Sequence, residues 1–196
     1  MLKRLIDVWC SGFGLMILSP LFIIISLMII FDSRGGIFYK QIRVGKGNVD
    51  FNILKFRSMR KDSHHKGLLT IGGTDSRITA VGRFIRKYKL DELPQLINVL
   101  LGSMSLVGPR PEVRKYVDLY NEEQKKVLSV KPGITDFASI IYRNETEILA
   151  KTDNPEELYI QEIMPAKLKL NLKYLEKRSN KTDLNIIFKT ISKISN

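Results

Sequence analysis

The sequence predicts an α+β fold, mostly helical with a minor β-sheet, carried behind an N-terminal membrane segment. Three observations lead there. Residues 8–31 are overwhelmingly apolar and uncharged, two short β-prone stretches flank a glycine-rich turn, and apolar residues recur at helical spacing through most of the remainder.

The apolar run of 24 residues would make a helix of roughly 36 Å, enough for a hydrocarbon core of about 30 Å. Ile30-Phe31-Asp32-Ser33-Arg34 makes a poor cleavage site, which disfavours a signal peptide. A plain span, with Pro20 as a tolerated kink, is the simplest reading. A break at Ser19-Pro20 would instead leave two arms of roughly 18 Å that enter and return. Lys3 and Arg4 precede the run and Arg34, Lys40, Arg43 and Lys46 follow it, so both flanks carry the cytoplasmic signature. The residues alone leave these topologies open.

After Gly35-Gly36, Ile37-Phe38-Tyr39 and residues 49–54 read as strands around Gly45-Lys46-Gly47. Residues 60–76 are polar and turn-rich, a surface loop. Residues 79–88 have helical spacing. Asp91 is placed to cap a second helix running to Leu101, with Pro94 acceptable in its first turn. Residues 112–128 read as one helix, ended by Lys131-Pro132-Gly133; residues 156–164 and 166–177 read as two, separated by Pro165. Leu184, Ile187, Phe188, Ile191 and Ile194 then share one face of an amphipathic helix, suited to the core or to a membrane interface.

The net charge is +12, and residues 33–90 hold 14 Lys and Arg against three acids. That excess predicts an anionic partner: phosphate groups, an anionic membrane surface or nucleic acid. Cys10 is the single cysteine, so no intrachain disulfide can form.

Chemistry concentrates at Asp91-Glu92. As a helix cap the pair would be ordinary punctuation. Arg83, Arg86, Lys87 and Lys89 close by should favour ionisation of Asp91. An ionised carboxylate there can attack phosphorus, or share a magnesium ion with a diphosphate. Arg110 sits between Pro109 and Pro111, either a rigid turn or a pre-oriented guanidinium for phosphate. Lys55 and Arg57 lie at strand spacing on one face. The His64-His65 pair has no acidic or cysteine company, Gly45-x-Gly47 and Gly72-Gly73 fit turns, and no Ser-His-Asp set is evident.

The chain resembles the bacterial sugar transferases, the monotopic phosphoglycosyl transferases that initiate surface-glycan assembly. The likeness covers nearly the whole chain. It runs through Ser19-Pro20, Gln41-Ile42-Arg43-Val44-Gly45, Lys55-Phe56-Arg57-Ser58-Met59 and Asp75-x-Arg77-x-Thr79-x-x-Gly82-Arg83. Leu90-Asp91-Glu92-Leu93-Pro94-Gln95-Leu96-x-Asn98-Val99-Leu100 and Met104-Ser105-Leu106-Val107-Gly108-Pro109-Arg110-Pro111 continue it. Lys131-Pro132-Gly133-Ile134-Thr135 and Asp183-Leu184 complete it.

The resemblance implies a reaction. Asp91 would attack the β-phosphate of a UDP-sugar, release UMP and carry the phosphosugar; polyprenol phosphate, typically undecaprenyl phosphate, would then take it. Asp91 would also be the ligand of Mg2+, the implied cofactor, with Glu92 as its catalytic partner. Arg86 and Arg110 match phosphate-holding positions, and Lys55, Arg57 and Asp183 are further substrate-binding candidates. The likeness also favours a re-entrant helix broken at Ser19-Pro20 over a plain span. Residues 1–34 would then be membrane-embedded, and residues 35–196 a catalytic domain with amphipathic interfacial helices on the cytoplasmic face of the bacterial inner membrane. Lacking the extra spans of larger members, the chain reads as the minimal catalytic form.

One departure falls after Thr135, where many relatives continue Gly-Trp-Ala-Gln and this chain has Asp136-Phe137-Ala138-Ser139. The stretch through Arg143-Asn144-Glu145 is expected to line the donor side, so sugar preference is not carried over. The competing reading is a non-enzymatic, membrane-tethered basic module for anionic lipid or nucleic acid. Few aromatics alternate with the cations as base stacking would need, and nucleic acid is not expected as a partner.

Overall fold

The computed structural model describes residues 2–60 and 75–195; His64-His65, Gly72-Gly73 and most of the loop expected at 60–76 lie outside them. Helix α1 (Leu2–Asp32) is long and apolar enough to cross a membrane by length and composition. Its helical backbone continues through Ser19-Pro20. Pro20 has no amide to give the carbonyl of Met16, and Ser19 Oγ donates to that carbonyl instead, at 2.8 Å. The serine satisfies the carbonyl that the proline leaves without its usual amide.

Strands β1 (Phe38–Val44) and β2 (Asp50–Phe56) pair antiparallel from Phe38 opposite Phe56 to Val44 opposite Asp50. Their turn needs positive φ, which Gly47 (70°) and Asn48 (63°) supply. Helix α2 (Ala80–Lys87) is capped by Thr79, whose side chain accepts from the Gly82 amide. Helix α3 (Gln95–Leu101) ends on Gly102 at φ 95°. Strands β3 (Ser105–Val107) and β4 (Gly133–Thr135) pair in parallel, so the minor sheet is two separate two-stranded sheets.

The single helix expected over 112–128 is instead α4 (Arg114–Val117) and a 3-10 segment, Gln124–Ser129. Asn121 and Gln124 explain the restart. Each side chain accepts from the other's amide, at 2.9 and 3.0 Å, a reciprocal capping box. Short helices α5 (Phe137–Ile141), α6 (Glu145–Leu149) and α7 (Pro155–Leu158) follow. Pro165 does not divide the next stretch. A π-helical segment, Tyr159–Ile163, leads directly into α8 (Met164–Glu176), with Pro165 in its first turn. Helix α9 (Asn180–Ser195) closes the chain.

Both ends of α1 dock on the rest of the protein. At its start Lys3 bonds the Val107 carbonyl (2.9 Å) and Asp183, and Arg4 takes the terminal carbonyls of α3 at Val99 and Leu100. Buried Asp7 accepts from Ser105 Oγ (2.8 Å) and the Leu106 amide (3.0 Å). At its end Ile25 and Ile29 pack with Phe56 and Ile85, and Asp32 accepts from the Val81 amide at the start of α2. Between these anchors the outer face, from Trp9 through Phe13, Met16 and Ile17 to Ile23, is exposed and apolar. Leu184, Phe188 and Ile191 leave a similar stripe on α9, whose other side buries Ile186.

Candidate active site

Asp91 lies on a 3-10 turn, Leu90–Glu92, entered through Lys89 in the left-handed conformation (φ 57°). It therefore does not cap α3, whose preceding residue is Pro94. The left-handed Lys89 stops α2 abruptly and turns the next carboxylates inward. Asp91 is 6% exposed, and its carboxylate takes part in no hydrogen bond among the described residues.

Glu92 contrasts with it. Lys55 Nζ on β2 donates to Oε1 at 3.0 Å, Arg110 Nη1 donates to Oε2 at 3.0 Å, and Arg110 Nη2 reaches Oε1. A bidentate guanidinium and an ammonium on one carboxylate make a charge-assisted cluster. Burial works against the Glu92 charge, yet Arg110 and Lys55 override it and hold the group well below the usual carboxylate range. Lys55 is lowered by burial, with Glu92 resisting.

Asp91 is pushed the other way. Burial raises its pKa and the adjacent Glu92 charge adds to that, against opposition from Lys55, Arg86 and Lys89. The expectation that nearby cations would favour its ionisation is thus corrected: the cations act in that direction, but desolvation and a like charge outweigh them.

These groups sit in a cavity of about 1020 Å³. One wall comes from β1 and β2, another from α2 with Arg83 and Arg86, and a third from α5, α6 and the end of α9, with Tyr142, Arg143 and Lys193. Among the described residues, thirteen Lys and Arg line it against five Asp and Glu, which makes it a trap for anions. Arg83, Arg86, Lys87 and Lys89 have no carboxylate partner among the described residues.

Of the residues singled out in the sequence, the structure brings together Lys55, Arg86, Asp91, Glu92 and Arg110. Arg57 lies at the cavity edge but is buried, and its Nη2 donates to the carbonyls of Ile29 (3.2 Å) and Ser33 (2.6 Å) at the end of α1. Asp183 lies elsewhere: it accepts from Lys3 and from the Tyr174 hydroxyl (2.7 Å), tying α9 to the start of α1 and to α8.

Sequence reasoning passed over two supports of this site. Asp136, fully buried, accepts from the Arg110 amide (3.1 Å) and caps α5 through the Ser139 amide (2.6 Å), so one carboxylate joins the Arg110 turn to the opposite wall. Glu112 accepts from Arg43 (2.8 Å) and from the Tyr159 hydroxyl, bracing the same turn from behind. The available signal was the alternation of Gln41 and Arg43 on one face of β1, where Gln41 Oε1 accepts from Arg43 Nε at 3.1 Å.

No three His, Cys, Asp or Glu side chains come together as a ready cage for a cation among the described residues. The donor set does fit magnesium, which binds through one or two carboxylates, water and substrate phosphates. Asp91 is the carboxylate left over for it.

The profile of the family described as bacterial sugar transferase matches residues 1–196. The chain is 37% identical over 196 residues to UDP-N-acetylgalactosamine-undecaprenyl-phosphate N-acetylgalactosaminephosphotransferase of Aeromonas hydrophila, covering 98% of this chain and 43% of that one. It is 34% identical over 201 residues to UDP-glucose:undecaprenyl-phosphate glucose-1-phosphate transferase of Escherichia coli (strain K12), covering 98% and 40%. With exopolysaccharide production protein ExoY of Rhizobium meliloti (strain 1021) it shares 32% over 206 residues, 97% of this chain and 84% of that one. The chain thus spans less than half the length of the first two relatives.

Proposed function

Because the chain belongs to the bacterial sugar transferase family, we propose that it moves a sugar-1-phosphate from a UDP-sugar to polyprenol phosphate, undecaprenyl phosphate above all. The observation that carries this reading is the unequal carboxylate pair on the floor of the cationic cavity. Glu92 is spent on Lys55 and Arg110, while Asp91 is buried and, among the described residues, has no hydrogen bond to give up before it reacts.

In this reading an Asp91 carboxylate oxygen attacks the β-phosphorus of the UDP-sugar. The bond from that phosphorus to the bridging oxygen breaks, and UMP departs with the electron pair. An oxygen of polyprenol phosphate then attacks the same phosphorus and displaces Asp91, giving the polyprenol-diphosphate sugar. Arg110, oriented by Glu92 and Asp136, and Arg86, which has no carboxylate partner among the described residues, hold phosphate oxygens, and Lys55 keeps the Glu92 charge in place. Magnesium held by Asp91 and the diphosphate would supply neutralisation of the phosphate charge.

The anchors of α1 support the proposed membrane placement. A helix spanning the bilayer carries its ends to opposite sides, yet Lys3, Arg4 and Asp7 at one end and Asp32 at the other bond to the same folded body. This supports a re-entrant helix over residues 1–34, helical through Ser19-Pro20 rather than broken there, and a catalytic domain over residues 35–196; the Lys and Arg on both flanks of the helix favour the cytoplasmic face of the bacterial inner membrane. Cysteines replacing Lys3 and Lys46 in a Cys10→Ser background should both be labelled from the cytoplasmic side; opposite sides would restore a plain span.

The reaction is tested by a UMP-release screen over a panel of UDP-sugars with undecaprenyl phosphate. At least one sugar should release UMP in proportion to lipid-linked product. Silence across the panel, from protein shown to be folded, would remove the reading.

A further inference from the structure

Charge is spread unevenly around the cationic cavity. Arg83, Arg86, Lys87 and Lys89, on α2 and the turn after it, line it without a carboxylate partner among the described residues. Around α5 and α6, Glu145 and Glu147 stand with Arg143, Lys167 of α8 and Lys193 of α9, and the charge nearly cancels.

One ion pair organises that second region. Lys167 Nζ donates to Glu145 Oε2 at 2.7 Å, with 15% and 24% of the two side chains exposed. Lys167 Nζ also lies 5.3 Å from the centre of the Tyr159 ring, whose hydroxyl bonds Glu112. Among the described residues, Glu145 Oε1 accepts no hydrogen bond and Lys167 Nζ donates only this one, so the fixed pair keeps an acceptor and donors for a ligand.

The pair stands on the Arg110 side of the reacting groups. Glu92 raises the Arg110 pKa most, and Asp136 and Glu145 add to it. Burial raises the Asp91 pKa against Lys55, Arg86 and Lys89. A β-phosphate between Asp91 and Arg110 would thus have the cations of α2 on one side and the Glu145–Lys167 pair on the other. The α-phosphate carries a full charge and belongs with the cations. A hexose is neutral, and each of its hydroxyls both donates and accepts, which suits a carboxylate held beside an ammonium.

We propose that Glu145 and Lys167 bind hydroxyl groups of the donor's sugar and set which UDP-sugar is used. The proposal rests on the transfer reaction above and adds which side of the cavity the sugar occupies and which residues read it.

A pair that merely ties α6 to α8 would behave differently, and the test separates the two. The full chain in nanodiscs is assayed for UMP release over the UDP-sugar panel with undecaprenyl phosphate, with rates taken per folded molecule. The variants are Glu145→Gln, Lys167→Met and the exchange of Glu145→Lys with Lys167→Glu. Each single substitution weakens a hydrogen bond to a charged group and should lower kcat/KM for the preferred UDP-sugar about tenfold. Inhibition by UMP, which lacks the transferred sugar, should not change. The exchange restores the ion pair with donors and acceptors swapped, so it should leave the loss in place and reorder the panel. Unchanged kcat/KM in the single variants, or recovery of the original rate and order by the exchange, would overturn the proposal and leave the pair a tie between helices. A loss of UMP affinity equal to the loss with UDP-sugar would overturn it too. Absence of UMP release from the unmodified chain would remove the transfer reaction instead, and calorimetric binding of the same UDP-sugars and of UMP to the same variants would still decide the pair.

Discussion

Replacing Asp91 with asparagine should abolish transfer and yet stabilise the protein at neutral and alkaline pH. Asp91 is 6% exposed, its carboxylate accepts no hydrogen bond among the described residues, and it lies beside the ionised Glu92. Its pKa is raised by burial first and by Glu92 second. A group with a raised folded-state pKa favours the fold fully below its unfolded pKa, about 3.9 for Asp, and loses that contribution as pH climbs through the folded value. The isosteric amide carries no charge to desolvate or to repel Glu92. Desolvating a charge beside a like charge costs more than desolvating a neutral amide, by about 1 kcal/mol. For a chain of this size that corresponds to roughly 2–4 °C in Tm. Melting curves of both proteins in the same nanodiscs, from about pH 4 to about pH 8, would show the variant melting higher at the alkaline end and the gap closing towards acid. A variant that melts lower at the alkaline end, or a gap that does not change with pH, would refute the reasoning.

Two further substitutions separate the site from its scaffold. Arg110→Lys gives up the bidentate hold on Glu92 and should lower kcat/KM for the UDP-sugar by roughly tenfold or more, measured from initial rates of UMP release; an unchanged rate would show that a point charge suffices there. Asp183→Asn weakens the link from Lys3 and Tyr174 to α9 and should cost about 1 kcal/mol in stability, with activity per folded molecule unchanged. Loss of activity at full stability would return Asp183 to the substrate's side.

Much of the architecture was legible because its signals are local. The apolar N-terminal run, the Gly45-Lys46-Gly47 turn and the helical spacing over residues 79–88 each act within a few residues, and each gives the element expected of it. The helix expected over 112–128 failed for an equally local reason, the reciprocal Asn121 and Gln124 caps. What lay beyond reach was the pairing of distant charges. Lys55 and Arg57 look alike on one strand, yet Lys55 points to Glu92 while Arg57 turns to the carbonyls at the end of α1. Asp183 looked like a candidate for substrate and is spent on Lys3, 180 positions away in the chain. Asp91 itself was read as a cap. Its inward turn depends on a left-handed lysine, which no residue preference announces.

The proposed transfer depends above all on the covalent role of Asp91. Intact-protein mass spectrometry of the full chain, incubated with a UDP-sugar that it turns over and without polyprenol phosphate, measures that role. The account predicts a mass increase of one phosphosugar, located on the Asp91 peptide, discharged by undecaprenyl phosphate and missing from Asp91→Asn. Full transfer activity in Asp91→Asn, or an adduct on another residue, would contradict it.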